Sequence, residues 1–335
     1  RIMDNLNQFM NNTIKLSVDL KNCGKRLDVF LTDNISHLTR SFLKKLIESK
    51  QVKLNDIILS SPSSKVKYKD KIVINIFKKN TKVIIPKKID LEIIYEDKSI
   101  IVINKPKGMV VHPGAGNYDN TLVNALLFRN KKDLSNINGE LRPGIVHRID
   151  KETSGLLVVA KNNFAHANLG DQFSKHSIER KYLCLAWGVV RPLNGKINTL
   201  ITRDKRNRQL MTVSEINGKK AITNYKTLKV FNIKDVPKIS LIECKLETGR
   251  THQIRAHLKY KGTSLLGDKQ YGKKNIKFKK VNNEFLSKLN KLSGQALHAK
   301  TLGFIHPDTK KWMNFESNLP TEFEKILSLL ENLCS

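Results

Sequence analysis

The chain has 335 residues, 39% of them hydrophobic, and a formal net charge of +31. That length suits one large domain or two ordinary ones, and the charge draws polyanions such as RNA, DNA or an anionic membrane while suiting a neutral glycan poorly. No run of eighteen apolar residues is present and the opening RIMDNLNQFMNNTIKL has no signal-peptide core, so neither a transmembrane helix nor export is expected and the location read is cytoplasmic.

The first 88 residues carry 19 Lys and Arg against 7 Asp and Glu, and the remainder 42 against 23. The shift places a boundary near residues 78–90, where KKNTKVIIPKKID reads as a linker punctuated by Pro86. The division expected is an N-terminal region over 1–80, a linker over 81–90 and a larger domain over 91–335. In KRLDVFLTDN, Leu27, Phe30 and Leu31 fall at helical spacing. HLTRSFLKKLIESKQV follows, with Leu38, Phe42, Leu46 and Ile47 on one face and Arg40, Lys44, Lys45 and Lys50 mostly on the other. VKLNDIIL and KYKDKIVINIF then read as short strands. A basic helix face is usually just solvated, but four cations of one sign suit a phosphate backbone better than they suit salt bridging.

LEIIYED and SIIVINK read as two strands joined by a turn at Asp97, broken afterwards by Pro106 and Gly108. Strand-like runs (LLVVAK, YLCLAWG, ISLIECKL) then alternate with helix-like ones (FAHANLGDQFSK, THQIRAHLKY), without the regular beat of a doubly wound sheet. The fold class expected is α+β with a mixed, largely antiparallel sheet. No internal repeat or long low-complexity tract is visible.

Metal and nucleotide-cofactor chemistry find little support. Cys23, Cys184, Cys244 and Cys334 form no CxxC pair, which argues against a zinc site and a disulfide framework. His252 and His257 stand five apart rather than four, and no HExxH exists. HPGAG, residues 112–116, lacks both GxxxxGK[ST] and GxGxxG spacings, and better suits a loop that lets an RNA strand approach closely.

Two constellations stand out instead. In HRIDKETSGLLVVAK, residues 147–161, Asp150 lies between Arg148 and Lys151 where the chain enters an apolar strand past Gly155. It is either a surface ion pair at a loop end or a catalytic acid held ionised by its neighbours. LETGRTHQIRAHLKYKG, residues 246–262, keeps Arg250 and Arg255 in a chain of 48 Lys and only 13 Arg, interleaved with His252, Gln253 and His257. The lysine excess has the look of an AT-rich coding bias, so a surviving arginine is a candidate for a position needing a planar guanidinium. Arginine can clamp a carboxylate in bidentate fashion, and Asp150 is the partner to propose for Arg255. Tyr182, opening the strand in ERKYLCLAWG, is either core or a ring placed to stack on a base or accept a proton.

About Lys25 to Asn75 resembles the S4 RNA-binding domain, in RLDVFL, SFLKKLIESKQVKLND and YKDKIVI. KPKGMVVHPGAG, HRIDKETSGLLVVAK, ERKYLCLAWG, TGRTHQIRAH and QALHAKTLGFIHP, in that order, resemble the motif series of the RluA-type pseudouridine synthases; Ile149 stands where that family commonly has leucine. The layout is similar to that of members acting on the ribosomal large subunit. The resemblance implies a small S4-like RNA-binding domain followed by a pseudouridine synthase catalytic domain. It implies isomerisation of uridines in 23S rRNA, several in one interface stem-loop, with the target base flipped out and with no cofactor and no metal. Asp150 matches the catalytic aspartate and Arg255 its arginine partner. Tyr182 matches the tyrosine that packs on uracil and can take the C5 proton, and Arg148 the arginine beside the flipped nucleotide. His147, Arg250, His252, Arg26, Arg40, Lys44, Lys45 and Lys50 are expected to bind substrate. The partner expected is 23S rRNA or a large-subunit precursor, met as a monomer and without a membrane. Competing readings are another rRNA site or a tRNA, a non-catalytic S4-type assembly factor, and a paired-carboxylate glycosidase, for which Glu152 is the only acid near Asp150.

Overall fold

A computed structural model of the protein describes residues 12–35, 40–76, 84–114, 116–130, 133–139, 141–234, 236–272 and 283–334. The chain divides into two compact units, residues 1–82 and 83–335.

In the first unit, strand β1 (Asn12–Ser17) precedes helices α1 (Leu27–Asn34) and α2 (Arg40–Glu48) and strands β2 (Val52–Leu54), β3 (Ile57–Leu59) and β4 (Lys71–Ile76). The strands form an antiparallel sheet in the order β1-β4-β2-β3. The helical spacing read at Leu27, Phe30 and Leu31 buries all three, and Leu46 and Ile47 of α2 join the same core. Leu38 and the Phe42 side chain lie outside the described residues. Asn55 and Asp56 both have positive φ, 48° and 67°, as a tight hairpin between β2 and β3 requires. Asn55 Oδ1 accepts the Lys71 N–H at 2.8 Å, which docks the turn against β4.

The second unit is built from β5 (Glu92–Glu96), β6 (Ile100–Lys105), α3 (Leu122–Asn130), β7 (Ser154–Ala160), α4 (Asn163–Ser174), β8 (Glu179–Trp187) and β9 (Asn194–Arg203). It continues through β10 (Met211–Ser214), β11 (Lys219–Phe231), β12 (Ile239–Leu246), α5 (Gln253–Tyr260), α6 (Asn283–Asn290), β13 (Leu297–Ile305), β14 (Trp312–Glu316) and α7 (Thr321–Leu333). The strands make one ten-stranded sheet in the order β10-β9-β11-β12-β8-β13-β7-β6-β5, with β14 on β13. Among the described residues only β13 and β7 pair in parallel, so the sheet is mixed and largely antiparallel. The turn between β5 and β6 is held by Asp97, whose Oδ1 accepts the N–H groups of Ser99 and Ile100.

The apolar runs of β6 and β7 reflect burial on both faces. Ile101, Ile103, Leu157 and Val159 pack with Leu122, Val123 and Leu126 of α3, whereas Ile100, Val102, Leu156 and Val158 pack with Ala165 and Leu169 of α4. Further along the sheet, Leu185 and Trp187 of β8 meet Phe285 of α6 and Phe323, Ile326 and Leu330 of α7. Residues 81–83 of the expected linker lie outside the described residues. Residues 84–90 carry no regular structure but are docked: the Asn124 amide of α3 donates to the Ile85 carbonyl at 2.9 Å and Lys87 N–H donates to the Asn124 carbonyl at 3.0 Å.

Gly155 is required where β7 meets β13. Its φ is +118°, and a Cβ there would lie 2.4 Å from the Ala299 carbonyl oxygen, so only glycine lets the two strands approach directly after the Asp150 loop.

Candidate active site

Asp150 lies in the loop that enters β7. Its carbonyl accepts the Thr153 N–H at 3.1 Å, and buried Ile149 anchors the loop from inside. A second clamp comes from Lys105 at the end of β6, which is wholly buried. Its Nζ donates to the carbonyls of Pro106 and Met109, both at 2.8 Å, and of Lys151 at 3.2 Å. KPKGM and HRIDK are therefore one structural unit. Burial brings the Lys105 ammonium down to about 7, with the charges of Asp150 and Glu152 opposing the fall.

The carboxylate of Asp150 is met by α5. Arg255 Nη1 donates to Asp150 Oδ2 at 3.2 Å, a contact bridging 105 residues of sequence. Asp150 is thus not a surface ion pair at a loop end: its side chain is 16% exposed and the arginine's 5%. Arg255 is in turn held by Asp268, Nε to Oδ2 at 2.7 Å and Nη2 to Oδ1 at 3.0 Å, and Nη2 also reaches Gln270 Oε1 at 2.8 Å. Burial alone would lower the Arg255 pKa, but the bond and charge of Asp268, aided by Asp150, raise it. Burial likewise works against an ionised Asp268, yet Arg255 and the N–H groups of Tyr271 and Gln270 pull its pKa below the ordinary value. Asp268, Gln270 and Tyr271 are the functional neighbours that sequence reasoning missed. The one signal for them was an acid in GDKQYG, amid cations and shortly downstream of Arg255.

His252 sits in the left-handed region, φ 54°, at the N-cap of α5, and its Nε2 lies 3.9 Å from Asp150 Oδ2. Its Nδ1 is 2.9 Å from the Tyr271 hydroxyl, which accepts the Met211 N–H at 2.7 Å. A hydroxyl that accepts from Met211 and donates to Nδ1 leaves the imidazole proton on Nε2, facing the carboxylate. Burial lowers the His252 pKa, against the pull of Asp150.

Two cavities of about 470 and 460 Å³ share Arg148, Ile149, Asp150, His252 and Arg255 as lining. Tyr182, Arg180 and Arg250 belong to the first; His112, Gly114 and Gln270 belong to the second. HPGAG therefore supplies lining beside Asp150, Ala115 falling outside the described residues. Tyr182 is 6% exposed, and burial raises its pKa, so it is a neutral phenol. Arg148 is exposed at the rim of both cavities. Arg250 is tethered by its Nε to the Lys220 carbonyl at 2.9 Å.

His147, expected to contact substrate, lines the first cavity and also holds the backbone of the adjoining strand. Its Nε2 accepts the Val158 N–H at 3.0 Å and its ring packs on Phe173 with centroids 4.7 Å apart. Burial, with Arg180 nearby, holds its pKa down to about 3, so it is a neutral acceptor that pins the loop to β7. The N-terminal cations are not uniformly free either. Arg26 Nε and Arg40 Nη2 both bind buried Asp28, at 3.0 and 2.9 Å, and Lys44 pairs with Glu48 at 3.7 Å. The Arg26 bond, with help from Arg40, holds the Asp28 carboxyl at about 2 against its burial. Lys45 and Lys50 are exposed. Among the described residues no group of three or more His, Cys, Asp or Glu side chains could hold a metal ion.

Residues 99–260 match the RNA pseudouridylate synthase family. Ribosomal large subunit pseudouridine synthase D of Zymomonas mobilis is 46% identical over 309 residues, covering 92% of this chain and 94% of that protein. The RNA pseudouridine synthase YlyB of Bacillus subtilis is 40% identical over 96% of this chain and 98% of its own length. Among solved structures, human RNA pseudouridylate synthase domain containing 4 superposes with a TM-score of 0.56 at 25% identity, covering 72% of this chain and 93% of that one. A carboxylate fixed by a buried arginine at the junction of two cavities, on a mixed and largely antiparallel sheet, thus stands in a chain that belongs to the RNA pseudouridylate synthase family and is an RNA pseudouridine synthase.

Proposed function

We propose that this chain isomerises uridines of large-subunit (23S) rRNA, several of them in one interface stem-loop, with Asp150 as the catalytic carboxylate. The observation that carries the reading is the Asp150–Arg255–Asp268 chain of contacts at the junction of the two cavities. The names of relatives support the rRNA target: proteins called ribosomal large subunit pseudouridine synthase D from Zymomonas mobilis and Buchnera aphidicola are 46% and 43% identical to this chain.

The geometry supports the following chemistry. The target nucleotide leaves its stack to reach a carboxylate this deep, at a cost of a few kcal/mol that phosphate contacts offset. Arg148, exposed at the rim, is free to contact a phosphate or to fill the vacated stack. The flipped uracil packs on Tyr182, whose neutral phenol offers a flat apolar wall; with its pKa raised by burial, the phenol is a poor base for the C5 proton. Arg255 keeps Asp150 ionised and aimed, so the carboxylate faces the sugar–base bond as that bond breaks and C1′ becomes electron-poor. Uracil turns within the cavity, C5 bonds to C1′, and the C5 proton leaves. The N-terminal unit acts as an S4-like RNA-binding module, with Lys45 and Lys50 presented to the backbone.

Mapping pseudouridine in rRNA from cells lacking this chain tests the assignment: sites in large-subunit rRNA are expected to disappear and to return with the wild-type chain. Loss confined to tRNA would replace rRNA as the substrate, and unchanged pseudouridine in every RNA would refute the reading.

A further inference from the structure

Two buried arginines line the first cavity, and the structure treats them differently. Arg255 is saturated by Asp268, Gln270 and Asp150. Arg180 is left open. It lies on β8 two residues before Tyr182, so both side chains leave the same face of the strand. It is only 7% exposed. Its Nη2 makes one long bond, 3.3 Å to the Glu247 carbonyl, and its Nε is buried with no hydrogen-bond partner. Its guanidinium lies over the Phe173 ring at 5.3 Å. Among the described residues no carboxylate stands within ion-pair distance of it, and burial draws its pKa below the ordinary arginine value, against a smaller upward pull from Tyr182. An arginine nevertheless stays charged at any working pH. Gly249 leaves room for it: a Cβ there would fall 2.6 Å from Arg180 Nη1.

A buried cation without an anion is a poor structural element, since one long carbonyl bond and a ring contact do not offset its desolvation as an opposite charge would. It is a good catalytic element if the missing negative charge arrives with the reaction, because a fixed cation in a dry cavity favours charge that develops only in the transition state.

We propose that Arg180 receives a carbonyl oxygen of the target uracil and carries the negative charge that the ring acquires when its N1–C1′ bond breaks. The inference rests on the reading of the first cavity as the uridine site. In that step the bonding pair leaves with N1 and spreads over N1, O2 and O4, while C1′ is left electron-poor opposite Asp150. No proton leaves Arg180. When the C5–C1′ bond forms, the ring supplies the electron pair for it. H5 then departs as a proton to solvent, the charge returns to N1, and N1 takes a proton from solvent. Arg180 faces an anionic ring before and after the turn, and a neutral one in substrate and product. A backbone phosphate fits the position less well, because it would have to be stripped of water at the inner wall while Arg148 and Arg250 stand closer to the opening.

The test uses the full chain under single turnover with a large-subunit rRNA transcript in which the wild type forms pseudouridine. At saturating RNA, Arg180→Met is expected to slow the reaction by roughly 10²- to 10³-fold with little change in Kd. Arg180→Lys, which keeps the charge, restores part of that rate. With 5-fluorouridine at the target, the ring departs more readily as an anion, so the Arg180→Met deficit in glycosidic cleavage shrinks. An unchanged rate, a deficit cured by raising the RNA concentration, or an equal deficit on both substrates would overturn the proposal. So would an Arg180→Lys variant that melts like the wild type but recovers nothing. The two readings fail separately: an inactive wild type removes the uridine-site assignment and this proposal with it, whereas an active wild type beside a fully active Arg180→Met removes this proposal alone.

Discussion

Asp268 grips Arg255 with both carboxylate oxygens, at 2.7 and 3.0 Å, and the remaining nitrogen, Nη1, is thereby aimed at Asp150 at 3.2 Å. The aspartate furthest from the cavity thus orients the cation that orients the one within it. Neutralising Asp268 leaves Arg255 buried and half-paired. Asp268→Asn is expected to lower stability by about 3–5 kcal/mol, the usual cost of removing one partner of a buried pair. It should also cut single-turnover pseudouridine formation at least tenfold under conditions where the protein remains folded, a rough figure for loss of a positioning contact. Urea denaturation and a quenched rate assay measure the two effects. A stable, fully active Asp268→Asn would show that Arg255 is positioned without Asp268.

The N-terminal cations separate into two kinds. Arg26 and Arg40 share buried Asp28 as an ion-pair partner, though their side chains are 51% and 58% exposed, whereas Lys45 and Lys50 are exposed and enter no such pair among the described residues. Replacing Lys45 and Lys50 together with Ala is expected to weaken RNA binding and to reduce the slope of log K against log salt by about one for each phosphate that is no longer neutralised. Replacing Asp28 with Asn should instead lower stability, because two arginines are deprived of their common partner. Filter binding across a salt series distinguishes the cases. An unchanged slope in the double lysine variant would exclude those residues from the RNA surface.

At Gly155 the constraint is steric. Alanine would be forced into φ +118° and into the Ala299 carbonyl, at the parallel junction of β7 and β13 directly after the Asp150 loop. Gly155→Ala is expected to cost at least about 1–3 kcal/mol from backbone strain alone, more with the clash. Chemical denaturation reads the destabilisation; a variant as stable as the wild type would contradict the close approach.

Acid should weaken the larger unit through its buried histidines. His257 is held between Thr223 and Thr199, and His298 between Ser154 and Ser317, all by contacts of 2.8–3.0 Å. Both are fully buried, and burial lowers each pKa to about 4. The unfolded chain, with histidines near ~6.5, binds more protons between those values, so stability rises with pH there. The stabilising contribution is complete above ~6.5 and is lost as pH falls toward about 4, by up to about 1.4 kcal/mol per pH unit for each group. Denaturation midpoints from pH 7.5 to 5 should fall, and His298→Gln should flatten that slope. A midpoint independent of pH across the window would contradict it.

Much of the site was legible because motif and local structure coincide. HRIDKETSG announced a loop entering a buried strand, and TGRTHQIRAH a turn entering a helix; the structure joins them through Asp150 and Arg255. What the sequence concealed is what depends on long-range packing. Asp268 looks like an ordinary turn acid until α5 delivers Arg255 to it. Lys105 looks like one of many lysines, yet it is a buried tie between two motifs. His147, beside Arg148 and Asp150, invited a ligand role and does line the first cavity, but nothing in the motif announced that it also accepts a backbone N–H of β7. Arg180 is hidden for the opposite reason: its distinguishing property is a missing partner, and a sequence does not display what a side chain lacks. The fold was readable as strands and helices, but the β13–β7 parallel step that sets the Asp150 loop arises between segments some 144 residues apart.

The role of Asp150 is tested most sharply by single-turnover pseudouridine formation with Asp150→Asn on a large-subunit rRNA transcript, with RNA affinity measured alongside. No detectable pseudouridine is expected, with a Kd close to that of the wild type, since Arg148, Arg250 and the N-terminal lysines remain. Pseudouridine formed by Asp150→Asn at the wild-type rate would contradict a catalytic carboxylate at this position.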